Sequence, residues 1–218
     1  VLPVELVRSY SSITAVSEKN GWNGAFGWGW VSLAETILAV TSNRVVQVRD
    51  GLSGNTVTFM PEKEDPKIRN LFMSAIKRAY FQKQKGRNLS DAELAKLSLP
   101  VRLESKLKND PHFRAEMAVQ YAVNIPIPTG EKLISKEFGI QTVEFRNNTW
   151  VREHDNISQY FDKNGRLTRQ TDRNGFTLLF KYSPKDPNQV ASIQSEEGAV
   201  SIYFKWRGDR IVEATDNR

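Results

Sequence analysis

The stretch Asp162-Lys163-Asn164-Gly165-Arg166-Leu167-Thr168-Arg169-Gln170-Thr171-Asp172-Arg173-Asn174-Gly175 holds two near-copies of one turn, ten residues apart. Asn-Gly at the tip of a two-residue hairpin supplies the positive φ angles that a type I′ turn requires. Residues 166–171 between the copies have the length of one strand. After the second copy Phe176, Leu178, Phe180 and Tyr182 alternate along one face. The stretch therefore predicts an antiparallel β-meander.

The meander repeats outward from this point. Gly165-Arg166-Leu167, Thr171-Asp172, Gly175 and Tyr182 form one unit. Asn188-Gln189-Val190, Gln194-Ser195, Gly198 and Trp206 form a looser second, and Gly208-Asp209-Arg210-Ile211 with Thr215-Asp216 opens a third. Leu167, Val190 and Ile211 stand 23 and 21 residues apart, a period that points to a repeat array. A lone hairpin cannot bury its apolar face, so such units need neighbours. The third unit stops before the glycine its pattern calls for, and the reading expects a piece of a longer polypeptide. Leu167, Phe176, Leu178, Phe180, Tyr182, Ile202, Phe204 and Trp206 are the expected packing residues.

Residues 125–218 are thus read as a β-meander, introduced by the proline-rich linker or edge segment Ile125-Pro126-Ile127-Pro128. Residues 61–124 have a different period. Ile68, Leu71, Phe72, Ala75, Ile76, Ala79 and Tyr80 follow helical spacing up to Gly86. Ser90-Asp91-Ala92-Glu93 is a capping box. Asp110-Pro111 caps a further helix that sets Phe113, Met117 and Tyr121 on one face. Residues 1–60 read as β again. Leu2, Val4 and Leu6 alternate, and Val45, Val46, Val48, Val57 and Phe59 flank a turn at residues 50–55. The fold class expected is mainly β, an antiparallel meander of repeat hairpins with an α-helical insertion.

The chain is 39% hydrophobic and 26% charged, the balance of a globular protein. No apolar run approaches the roughly 18 residues of a membrane span. Cysteine is absent, which removes thiol chemistry and disulfides. The net charge of +6 is concentrated in residues 61–124, with 13 basic and 8 acidic side chains. Such a segment can meet an anionic partner, but a solvated helix face accounts for it, and no nucleic-acid partner is expected.

Few residues offer chemistry. His154, between Glu153 and Asp155, could orient an imidazole, but no activated nucleophile is spaced near it, and an ordinary loop is the expectation. His112 follows Pro111 in a helical first turn and is expected to face solvent. The Asp-x-Asn-Gly turns lack the further oxygen ligands of a calcium loop. No catalytic, metal or cofactor site is expected. Residues 21–30 gather Trp22, Trp28 and Trp30 among glycines. These three are the candidate ligand-binding residues, by stacking on a sugar; the competing role is stapling strands.

The Gly-Arg-Leu…Asp…Gly…Tyr unit resembles the YD repeat of the bacterial Rhs family. Residues 4–12, Val-Glu-Leu-Val-Arg-Ser-Tyr-Ser-Ser, followed by Gly27-Trp28-Gly29-Trp30-Val31-Ser32-Leu33, are similar to the segment that precedes the repeats there. The resemblance covers residues 1–60 and roughly 140–218, and the helical stretch departs from it. It implies a segment of a hollow β shell that encloses or presents a C-terminal toxin, exported or at the cell surface. The remainder of that shell and its toxin would be the partners, with a glycan or target-cell surface as a further one. The family's self-cleavage region has no counterpart here, so its catalytic residues are not carried over, and the expected role is non-enzymatic. The alternative is a surface adhesin that binds through the aromatic loop or the helices.

Overall fold

The structure is a computed structural model and describes residues 4–12, 23–41 and 44–217. The chain forms two compact units. One comprises Val1–Val40, Val46–Met60 and Thr129–Arg218; the other comprises Thr41–Val45 and Pro61–Pro128. The helical unit thus takes in the proline-rich segment as well, and Ile125 packs against its core.

The first unit is a meander. Strands β1 (Arg8–Tyr10) and β4 (Trp30–Ser32) pair antiparallel, as do β2 (Asn23–Gly24) and β3 (Gly27–Trp28). The sheet proper has twelve strands. They are β5 (Ile37–Val40), β6 (Val46–Arg49), β7 (Thr56–Pro61), β8 (Lys132–Ser135), β9 (Gln141–Arg146) and β10 (Thr149–His154). The sheet continues through β11 (Ile157–Phe161), β12 (Leu167–Asp172), β13 (Thr177–Tyr182), β14 (Val190–Ser195), β15 (Ser201–Arg207) and β16 (Arg210–Asp216). Every strand lies beside its neighbour in sequence, as hairpins linked in series require. Residues 4–7, expected as strand from their alternation, are unpaired, and β1 begins at Arg8; Leu2 lies outside the described residues.

One face of the sheet holds the core. Val46, Val48, Val57 and Phe59 are buried on the first hairpin. Leu133, Val143, Phe161, Leu167, Leu178, Phe180 and Ile193 continue the buried face. Leu38 N–H donates to Gly165 O at 2.8 Å, which brings β5 against the loop before β12. Gly165 is required there: its φ is +78°, and a Cβ would lie 1.8 Å from that Leu38 carbonyl. Phe176, expected inside, is 46% exposed. It closes the turn rather than starting the strand, its N–H held by Asp172 Oδ1 at 3.0 Å. Tyr182 and Trp206 are half-buried.

The two Asp-x-Asn-Gly turns are not of type I′. Only their glycines have positive φ, and Asp162 O and Asp172 O accept from Gly165 N and Gly175 N at 2.9 and 3.0 Å. This is a type I turn followed by a left-handed glycine, the three-residue hairpin loop. The aspartate enforces it: Asp162 Oδ1 accepts from Asn164 N (2.9 Å) and Arg166 N (3.0 Å). Two-residue loops with both φ positive occur instead at Asn147-Asn148 (51° and 60°) and Asp155-Asn156 (49° and 64°). Asparagine and aspartate tolerate this region without glycine.

The repeat has a physical basis. Tyr182 Oη donates to Leu167 O, and Trp206 Nε1 donates to Val190 O, both at 2.9 Å. In each hairpin an aromatic residue at the end of the second strand, Tyr182 as its last residue and Trp206 one before its last, therefore bonds the first residue of the first strand, beside a register shift at Lys181/Tyr182 and at Lys205/Trp206. Successive hairpins are also tied. Arg166 Nη1 donates to Pro187 O at 2.7 Å, and Gln189 Nε2 donates to Gly208 O at 2.8 Å. Both acceptors lie two residues before the equivalent position of the next unit. Arg210, the third such residue, donates to Gly24 O and Asn23 Oδ1 of the β2–β3 hairpin.

The helical unit follows its caps. Helix α1 (Pro66–Lys85) starts at Asp65, whose Oδ1 accepts from Lys67 N at 2.8 Å, and ends at Gly86, φ 65°. Ser90 and Glu93 form the capping box of α2 (Asp91–Ala95). Helix α3 (Val101–Asn109) follows Pro100, and α4 (Pro111–Gln120) starts at Asp110, which accepts from Phe113 N at 3.0 Å. Phe72, Ile76, Leu107, Met117 and Ala118 form the core. The buried Arg114 donates to Leu107 O, to Lys108 O at 3.0 Å and to Glu64, so it satisfies carbonyls at the end of α3. Among the described residues no helix is long and apolar enough to cross a membrane.

Candidate functional site

A strand buried on one face should carry apolar residues at every second position. In β9 to β12 that phase is broken. Arg152 pairs across strands with Val143 and Gln159, and Gln159 pairs with Gln170, so the three polar residues sit in the row of core positions. Gln141, two residues before Val143, joins them on the same face. All four are buried, Arg152 at 2% exposure.

These side chains form a chain of hydrogen bonds. Arg152 donates from Nε (3.0 Å) and Nη2 (2.7 Å) to Gln141 Oε1. Its Nη1 donates to Gln159 Oε1 at 2.9 Å and to Asp50 Oδ2 at 3.0 Å. Gln159 Nε2 donates to Gln170 Oε1 at 2.8 Å. At the other end Gln141 Nε2 donates to Glu137 O at 2.9 Å. The ladder thus runs from β12 to the turn between β8 and β9.

Asp50 supplies the countercharge from the end of β6. Burial pushes its carboxyl up, but the Ser53 N–H, the Arg152 guanidinium and the Leu52 N–H outweigh burial and hold it below the usual carboxylate range. Asp50 Oδ1 accepts from Leu52 N and Ser53 N at 3.0 and 3.1 Å. A buried charge that is paired and hydrogen-bonded in this way is tolerated where a lone one is not.

Above the ladder lies a cleft of about 310 Å³. Its walls include Leu52, Ser53 and Asn55 from the β6–β7 turn, Phe138 from the β8–β9 turn, and His154, Asp155 and Ile157 from the β10–β11 turn. Phe138 has φ 55°, unusual for a bulky residue, and is 65% exposed. His154 Nε2 lies 3.1 Å from Phe138 O and 3.1 Å from Asp155 Oδ2. Its imidazole holds a turn; among the described residues no hydrogen bond joins it to Ser53, whose Oγ is engaged by Asp50 and Asn55 N. The cleft sets the polar ladder beside the apolar side chains of Leu52, Phe138 and Ile157.

Two of the three sequence-derived ligand residues, Trp28 and Trp30, lie within the described residues. Trp22 lies outside the described residues. Trp28, on β3, is 45% exposed. Trp30, on β4, is half-buried, with Tyr10 at 5.3 Å between ring centroids and the Arg8 guanidinium at 5.2 Å. Arg8 also lies 5.3 Å from the Phe26 ring, so its guanidinium contacts both rings, and the Tyr10–Trp30 contact staples β1 to β4. The β2–β3 turn itself is held by Glu35, whose Oε1 accepts from Ala25 N at 2.6 Å. The backbone of His112 is helical, in the first turn of α4. Asp162 of the suspected calcium turn is engaged by Arg166 at 2.7 Å, and among the described residues no group of His, Asp or Glu is placed to hold a metal.

Sequence reasoning missed the ladder because its partners are 7, 11 and 102 residues apart. The available signal was Gln141 and Gln159, each two residues before a core position, Val143 and Phe161; Gln170 stands three residues after Leu167, because the register shifts at Tyr160/Phe161. No protein-family model and no curated protein matches the chain.

Proposed function

We propose that the protein is a non-enzymatic structural segment of an Rhs-type YD-repeat shell that encloses or presents a toxin at the bacterial surface. One observation carries this reading: the hairpin-to-hairpin tie from Arg166 to Pro187 O recurs from Gln189 to Gly208 O. A tie that recurs at equivalent positions lets a ribbon be extended unit by unit, each unit burying its neighbour's apolar face. Strands paired in strict chain order suit a continuous wall. The mechanism is containment, since a closed sheet has no free edges and keeps cargo from solvent. The shell's remainder and its toxin are the partners, and the compartment is the envelope or the outside of the cell.

An antibody against this chain, used on cells and culture fluid of the source organism, tests the reading. A band several times larger than 24.8 kDa, in the envelope or secreted, is expected. A free band near 24.8 kDa with no larger precursor refutes it. The exposure of Trp28 favours a second reading, a surface adhesin whose aromatic loop binds glycan. That reading requires Trp22→Ala and Trp28→Ala to abolish capture on a glycan array.

A further inference from the structure

We infer that the cleft above the Arg152 ladder is a binding site for a neutral saccharide of one or two sugar units. The floor presents an unmet donor. Gln170 is 4% exposed and its Oε1 is held by Gln159, while its amide nitrogen, without a protein acceptor among the described residues, is open to the solvent of the cleft. The ladder also fixes which group faces the cleft. Arg152 can only donate, so Gln159 receives on its oxygen and donates onward, and Gln170 is left with its N–H groups outward.

The rim presents an apolar ring. Phe138 occupies the left-handed region at φ 55°, where asparagine or glycine would sit without strain, and its ring remains in solvent. The turn is held by His154 on Phe138 O at 3.1 Å and by Gln141 on Glu137 O at 2.9 Å. The ladder that orients the floor therefore also anchors the rim.

Charge selects the ligand class. Arg152 is neutralised by Asp50, so neither an anion nor a cation finds a free countercharge on the floor. A sugar offers hydroxyl oxygens to Gln170 and a face of C–H groups to the electron-rich ring of Phe138. The volume of about 310 Å³ lies at the small end of ligand pockets, which limits the occupant to one or two rings.

Saturation-transfer NMR on the whole chain tests this site, with N-acetylglucosamine, galactose, chitobiose and lactose as probes and N-acetyl-dialanine amide as the peptide control. At least one sugar is expected to bind and the peptide is not. Phe138→Asn should weaken binding about five- to ten-fold, the loss of one stacking contact, while melting stays unchanged or rises because the strain is relieved. Gln170→Leu should weaken it similarly, and Trp28→Ala should leave it intact. The inference is overturned if no sugar binds, if only the peptide binds, or if Phe138→Asn binds as tightly as the parent chain. It stands or falls independently of the shell.

Discussion

Replacing Arg152 with methionine keeps most of the stem and removes every donor. Gln141 Oε1 loses two bonds, of 3.0 and 2.7 Å, and Gln159 Oε1 loses one of 2.9 Å. Each buried acceptor left unpaired costs about 1–3 kcal/mol. Asp50 loses its countercharge, although its partial exposure and its bonds from Leu52 and Ser53 soften the loss. Breaking one side of a buried pair typically costs about 3–5 kcal/mol, and that is the loss expected for Arg152→Met. All five tryptophans, at 22, 28, 30, 150 and 206, lie outside the helical unit, so tryptophan fluorescence in a urea titration follows the β unit alone. Asp50→Asn should also destabilise, by stranding the arginine. The double variant should lose less than the sum of the two, by at least about 1 kcal/mol of coupling. A loss below about 1 kcal/mol for Arg152→Met, or plain additivity in the cycle, would refute the assignment of the ladder as a coupled network.

Two further outcomes are expected. Gly165→Ala and Gly175→Ala change turns of the same sequence pattern, yet the first places a Cβ 1.8 Å from Leu38 O while the second meets nothing within 4 Å. Gly175→Ala should cost about 1–2 kcal/mol, for positive φ alone, and Gly165→Ala clearly more; equal midpoints in the same titration would contradict the close approach. Asp50 and Asp162 are both held below the usual carboxylate range, burial pushing each up and hydrogen bonds with an arginine partner pulling it further down. Their stabilisation is complete above the unfolded value of about 4 and is lost as pH falls through the lower folded values. Stability should be flat from about pH 7 to 5 and fall below about 4, with a shallower fall in Asp50→Asn; an unchanged slope in that variant would contradict the pairing.

Much of the fold was legible because its signals are local. The caps at Ser90 and Asp110 each act within three residues, and both start helices where the sequence places them. The meander was legible because Val46, Val48, Val57 and Phe59 keep the two-residue period of a half-buried strand. The turn type was misread because Asn-Gly was taken alone, whereas the aspartate two residues before each asparagine decides the geometry through its side chain. The two-residue loops with both φ positive, Asn147-Asn148 and Asp155-Asn156, lack glycine and so gave no strong signal. The aromatic loop drew attention by composition, yet Trp30 is used by Arg8 and Tyr10, neighbours across a strand pair rather than along the chain. The cleft was hidden for the same reason: Phe138 has no local pattern, and its role follows from His154, sixteen residues away.

The bond from Arg210 to Asn23 joins residues 187 apart. The hairpins of the meander can close as they leave the ribosome, since each needs only its immediate neighbour. Asn23 emerges early and must wait for almost two hundred residues of translation before its partner exists. Contacts of such separation form late and slowly, because their loop must be closed before any bond repays the entropy. The β2–β3 hairpin, whose turn Glu35 holds locally, therefore gains its contact with Arg210 only after the last described strand is in place. Pulse-chase proteolysis during synthesis would see the β2–β3 hairpin protected after the meander, not before it.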